Sequence, residues 1–197
     1  RYIGGEKDRF RDVVGVTIDE AGRVLLGHRQ GVSIFDTRGT LVRSVTVVEP
    51  SSFLVEGTGR VVAARGALLL PEKAAPISFL VPTPGRAPRQ VDEMPALLAT
   101  AGGDWLVADR KAKAVVRISP DGKFLANFAN VNAEKLARNT YDDVAMIDRD
   151  SKSIVIVDRE GKTLSRIPQK GPSWQFDDPA DLAYDALGHL YVLDSRR

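Results

Sequence analysis

The sequence predicts an all-β fold, a β-propeller of four-stranded antiparallel blades that is incomplete in this chain. Three observations lead there. One pattern recurs with a period near 40 residues, the length of a propeller blade or solenoid repeat. Within each copy, short runs rich in Val, Ile, Leu and aromatics alternate with period two, as half-buried strands do. Glycine-tipped turns bound these runs, among them Ala21-Gly22, Thr37-Arg38-Gly39, Gly102-Gly103, Asp121-Gly122, Glu160-Gly161 and Leu187-Gly188.

The clearest copies are WLVADRKAKAVVRISPDGKFLANF, from Trp105, and VAMIDRDSKSIVIVDREGKTLSRI, from Val144, which align without a gap. An earlier copy, RVLLGHRQGVSIFDTRGTLVRSV from Arg23, matches with one residue deleted in its middle loop. Its four strands are expected at roughly Val13–Ile18, Arg23–Gly27, Val32–Asp36 and Thr40–Val45. A degenerate copy begins at Arg60, takes an insertion through Ala75 and resumes at Ile77. The last copy, DLAYDALGHLYVLDSRR from Asp181, stops partway. Blades are therefore expected over 10–45, 50–92, 94–128, 132–167 and, in part, 179–197, with residues 1–3 as the outer strand of a preceding blade. NAEKLARN, from Asn132 to Asn139, has helical propensity, but the repeat places a first strand there, so a helical turn at most is expected. Leu68, Leu69 and Leu70 in the insertion read either as an extension of the second strand or as an exposed apolar patch, Ala67–Pro71, that needs a partner.

Composition narrows the function classes. The 197 residues are 43% hydrophobic and 27% charged, enough for a sizeable core and far from a disordered composition. A formal charge of +2 argues against a protein that coats a polyanion. No apolar run approaches the ~18 residues of a membrane helix. With no cysteine there is no disulfide, thiolate metal site or cysteine nucleophile. A chain starting at Arg1 reads as a processed or truncated product and, with the lack of cysteine, favours an extracytoplasmic bacterial setting.

IGGEKDRFRDVVGVTIDEAGRVLL near the start and FDDPADLAYDALGHLYVLDSRR at the end resemble NHL repeats. They share a Gly-Gly linker, a Phe before an Asp/Pro entry into the first strand, a glycine turn, and a strand ending in Val-x-Asp. The resemblance is good over 1–45, 94–128 and 142–197 and poor over 49–91, where the Val-x-Asp element is missing. It implies a propeller, most often six-bladed, closed by a blade that mixes strands from both termini. Six blades would need on the order of 240 residues, so the chain is expected to be a fragment of a longer protein, or its ring to be closed by another chain. NHL-type propellers serve as scaffolds, ligand sensors, RNA binders and occasionally enzymes, so the family alone does not choose among these.

Two groups of residues are candidates for a role. Asp109, Asp148 and Asp194 each end a second strand before a polar loop, where a carboxylate accepts loop amides. One copy per blade points to structural loop anchors rather than catalysis; Gly27 and Ala64 take this place in the first two copies. The longer second-to-third-strand loops and interblade linkers share one face, and binding residues favour longer loops on a rigid scaffold. Arg29, Arg110, Lys111, Arg149, Lys152 and Arg196 lie there, with Trp174 in a linker, and are the candidate binding residues. Linker carboxylates, among them Glu49, Asp92, Glu93, Asp177 and Asp178, offset their charge.

Nucleic-acid binding is not expected, because the charge is near neutral and only Trp174 is available for base stacking. NHL-like lyases and lactonases hold a divalent metal in a central cluster of His and carboxylates. Here His28 and His189 form no ligand pair, and the channel-lining strands (VVGVTI, ALLAT, DLAYD) are mostly apolar. No GxSxG nucleophile elbow occurs. No metal and no cofactor are expected. The sequence therefore predicts a non-enzymatic protein-interaction or assembly scaffold. The rivals are a ligand- or carbohydrate-binding sensor using the central channel, an RNA-binding propeller, and a metal-dependent lyase or lactonase.

Overall fold

A computed structural model describes residues 12–19 and 21–195, and every regular element among them is a β-strand. The first sheet runs in the order β1 (Gly15–Ile18), β2 (Val24–His28), β3 (Gly31–Phe35) and β4 (Leu41–Thr46). The second blade has a three-stranded sheet of β5 (Ser52–Val55), β6 (Val61–Arg65) and β7 (Leu68–Pro71). A separate hairpin follows, β8 (Leu80–Thr83) and β9 (Arg86–Gln90). The third sheet is β10 (Leu97–Ala99), β11 (Trp105–Asp109), β12 (Ala114–Ile118) and β13 (Phe124–Ala129). The fourth is β14 (Ala133–Arg138), β15 (Val144–Asp148), β16 (Ser153–Val157) and β17 (Thr163–Ile167). These four antiparallel blades form a β-propeller, and a two-stranded sheet of β18 (Pro179–Tyr184) and β19 (Leu190–Asp194) follows them.

The core lies between blades rather than inside one. A middle strand is covered on both sides, so its successive residues enter two different interfaces. Trp105 and Val107 of β11 pack with Leu54, Val62 and Leu69 of the second blade. Leu106 and Ala108 of the same strand pack with Val144 and Met146 of the fourth. This is why WLVAD and SIVIV read as unbroken apolar runs. The outermost strand β17 has little to cover it and is mostly exposed. Trp105 is the largest fully buried side chain, in an interface whose cluster of thirteen buried residues contrasts with four between blades one and two.

Two expectations change. Leu68–Pro71 is neither an extension of the second strand nor a protruding patch. It is the third strand β7, turned back on β6 by a two-residue hairpin, with Leu69 fully buried and Leu68 and Leu70 half-buried. Ile77 then bridges Leu69, and the proline-rich stretch beyond forms its own hairpin. A proline supplies no N–H to a ladder, which keeps this blade from completing one four-stranded sheet. NAEKLARN contains no helical turn. Ala133 and Ala137 are both buried in β14, and packing against the third blade and β18 overrides helical propensity. The expected outer strand at residues 1–3 lies outside the described residues.

Candidate functional site

The inner strands β1, β5, β10, β14 and β18 surround an axial cavity of about 890 Å³. It runs from Val14 and Ser52 at the long-loop end to the first-to-second-strand turns at the other end, where Thr58, Gly102 and Arg138 contribute to its rim. Its wall is largely apolar, with Val16, Phe53, Leu98 and Leu182, and its charged members are mostly neutralised locally. Asp19 pairs with Arg23 at 2.7 Å, Glu56 with Arg60 at 2.6 Å, and Arg138 with Asp142 at 2.9 Å. Burial, followed by the negative charge of Asp143, pushes the Tyr184 phenol above its ordinary pKa. Lys135 reaches across the axis and donates to the Val14 carbonyl at 2.8 Å.

The turns on this short-turn face share one device. Asp19, Asp36, Asn139, Asp158 and Asp185 each use a side-chain oxygen to accept the backbone N–H groups two and four residues on. A short polar side chain here satisfies amides that the tight turn leaves without strand partners. Asp185 has the fullest set: Leu187 N, His189 N, the His189 ring and the Tyr191 hydroxyl all lie within hydrogen-bonding distance. Desolvation raises its pKa, but these hydrogen bonds outweigh that and bring it down to about 2. Four of these turns carry the glycine that the sequence announces, and Asp142 takes its place after Asn139 with a φ of 67°; the acceptor three residues earlier was missed.

On the opposite face, the candidate cations are tied to carboxylates from linkers and inner strands. Arg29 lies 2.9 Å from Glu49 and 3.8 Å from Asp12. Arg110 joins Glu93 at 3.1 Å and Glu134 at 3.0 Å, and Arg149 shares Glu134 at 3.4 Å. Lys111 meets Asp92 at 3.4 Å, and Lys152 meets Asp178 at 3.3 Å and donates to the Asp177 carbonyl. Lys113 and Asp150 form a further blade-to-blade pair. The Lys113 hydrogen bond, aided by Asn132, holds the Asp150 carboxyl below its ordinary pKa. Trp174 folds back over Gly171 and donates its indole N–H to the Pro168 carbonyl, leaving the residue 39% exposed. Arg196 lies outside the described residues.

The repeated aspartates differ in what they hold. Asp109 is buried, accepts Ala112 N at 3.1 Å, and pairs with Arg89 of β9 in the preceding blade. Asp148 accepts Asp150 N, the Ser151 hydroxyl and Arg166. Asp194 accepts the N–H groups of Asp177 and Asp178, in the linker ahead of its own sheet. The strand register also revises the equivalent residues of blades one and two. His28 pairs with Gly31 and Arg65 with Leu68 just as Asp109 pairs with Ala114, so His28 and Arg65, not Gly27 and Ala64, occupy this position. A shorter β2–β3 loop displaced the alignment. His28 is buried, close to Ser33 Oγ through Nε2 at 2.9 Å, and burial lowers its pKa. Its Nδ1 accepts Gln30 N at 3.3 Å, a second bond that suits the neutral ring. Among the described residues, no three His, Asp or Glu side chains gather as a metal site.

No family model and no curated protein matches the chain. Solved structures do. A protein of unknown function from Bacteroides caccae superposes with a TM-score of 0.67 at 17% identity, covering 92% of this chain and 70% of that one. Virginiamycin B lyase from Staphylococcus aureus gives 0.63 at 13% identity, over 95% of this chain and 65% of the lyase. A gluconolactonase from Xanthomonas campestris gives 0.66 at 13% identity, over 92% and 69%. The likeness is one of fold. The chain spans about two thirds of the length of these proteins, and they include two enzymes alongside a protein of unknown function.

Proposed function

We propose that this propeller, of NHL type and belonging to a six-bladed ring, is a non-enzymatic interaction or assembly scaffold whose protein partner docks on the short-turn face. One observation carries the reading. The three most exposed large apolar side chains among the described residues are Leu187 at 81%, Tyr141 at 77% and Ile18 at 67%. Each sits in or beside the turn that ends an inner strand, in β18–β19, blade four and blade one. Apolar side chains presented by rigid hairpins suit a protein interface. The non-enzymatic part is supported by the separation of the two histidines: His28 is buried beside Ser33, and His189 is on Asp185 in another sheet. The long-loop residues Arg29, Arg110, Lys111, Arg149 and Lys152, with Trp174, form a second, polar candidate surface.

Capture experiments with the immobilised protein test this. A protein retained by the wild type and lost with the double variant Tyr141→Ser/Leu187→Ser, but kept by Arg149→Ala, supports short-turn docking. The opposite pattern moves the interface to the long-loop face. A second reading, a small-ligand sensor, is favoured by the axial cavity of about 890 Å³, a volume within the range of ligand sites.

A further inference from the structure

Each blade places one residue of its inner strand at the same level of the axis. It is the partner of the penultimate residue of the second strand. The pairs are Gly15 with Gly27, Ser52 with Ala64, Lys135 with Ile147 and Asp181 with Leu193, and in the third blade Ala96 accepts Ala108 N. All five line the cavity. Three are small, so the level is open. The other two carry opposite charges on adjacent strands, β14 and β18.

Lys135 and Asp181 are set apart from the other charged groups of this wall. Asp19, Glu56, Arg60 and Arg138 are held in ion pairs, whereas among the described residues neither Lys135 nor Asp181 belongs to one, even with the other. Lys135 spends one of its three N–H groups on the Val14 carbonyl. Asp181 uses Oδ1 to accept Leu182 N at 2.9 Å, leaving Oδ2 without a hydrogen bond among the described residues. A half-buried cation and a half-buried carboxylate that do not pair directly each favour an opposite charge from a third body.

We propose that the axial cavity binds a small zwitterion, an ammonium and a carboxylate on one short skeleton such as a free α-amino acid. This rests on the ligand-sensor reading and names its ligand class. The ligand carboxylate accepts from the two remaining N–H groups of Lys135, and its ammonium donates to Asp181 Oδ2. An apolar side chain lies against Val16, Phe53, Leu98 and Leu182, which line the same cavity. No covalent step is involved.

Isothermal titration of the protein with L-phenylalanine, N-acetyl-L-phenylalanine, L-phenylalanine amide and 2-phenylethanol tests the assignment. L-Phenylalanine is expected to bind. The two singly charged derivatives should bind about tenfold more weakly or worse, since each loses one charge-assisted contact. Lys135→Gln and Asp181→Asn should each weaken L-phenylalanine by about tenfold without weakening 2-phenylethanol. If removing the Val14 contact unfolds Lys135→Gln, Asp181→Asn carries the test alone, with its fold checked by circular dichroism. Equal binding of all four probes, or derivatives that bind as well as L-phenylalanine, overturns the zwitterion assignment and leaves the sensor reading standing. If no probe binds at millimolar concentration, both fall.

Discussion

The two faces of the disc both carry polar side chains and use them in different ways. On the long-loop face, blade cations meet carboxylates from linkers and inner strands, so charge that looked available is spent within the scaffold: Arg110 reaches Glu134 of the next blade, which Arg149 shares, and Lys152 reaches Asp178 in the next linker. On the short-turn face, Asp158 and Asp185 turn inward to their own backbone, and the inner, first-to-second-strand turns present apolar groups such as Tyr141 and Leu187. Polar composition alone does not mark a binding face. What matters is whether the polar atoms are already satisfied from within.

The sharpest way to break this contrast is at the turns. Gly161 has a φ of 88°, and a Cβ there would lie 1.9 Å from the Phe128 carbonyl oxygen of the preceding blade. Gly161→Ala should therefore cost about 3 kcal/mol, adding a backbone clash to the left-handed conformation. Gly188 has nearly the same φ, 84°, with nothing within 4 Å of the added atom, so Gly188→Ala should cost only about 1 kcal/mol. Equal losses in urea unfolding would mean that neighbouring blades do not approach at these turns.

On the other face, the repeated anchor should not behave uniformly. Asp109→Ala leaves Arg89 without its buried partner and should cost about 2–3 kcal/mol. Asp148→Ala frees a partly exposed loop and should cost about 1 kcal/mol. Arg149→Ala removes an exposed pair and should change stability by less than about 0.5 kcal/mol. If Arg149→Ala costs as much as Asp109→Ala, the ion-pair belt holds the ring together more strongly than its exposure implies.

The smallest expected effect is a titration. The folded-state pKa of Asp185 lies near 2, below its ordinary 3.8. Its contribution to the turn is thus complete above about pH 4 and lost as the pH falls through about 2. Carboxyl chemical shifts should place its midpoint near 2, and a midpoint at the ordinary value would show that the His189 and Leu187 contacts do not form in solution.

Much of the fold was legible because its signals are local. Glycine turns and apolar runs placed the four strands of blade one within one or two residues of β1 to β4. Blade two was misread because its turn at Gly66 is short and its prolines interrupt the ladder. A two-residue β2–β3 loop likewise moved the anchor from His28 to Gly27. The linker carboxylates Glu49, Asp92, Glu93 and Asp178 were legible as the counter-charges of the long-loop cations, but Glu134 was not, since it meets Arg110 across blades and nothing in the spacing announces the pair. Asp181 was hidden in DLAYD, a strand read as mostly apolar, and Lys135 in NAEKLARN, a first strand noted only for its helical propensity, although aligning the repeats by strand pairing places both at one level.

The direct test of the central claim, that the short-turn face is the docking surface, is site-specific photo-crosslinking. A benzophenone amino acid placed at Leu187 and, separately, at Lys111 reports on the two faces in the presence of the natural cell extract. A discrete protein adduct from position 187 and none from position 111 is the predicted result. An adduct from position 111 with none from position 187 would contradict it.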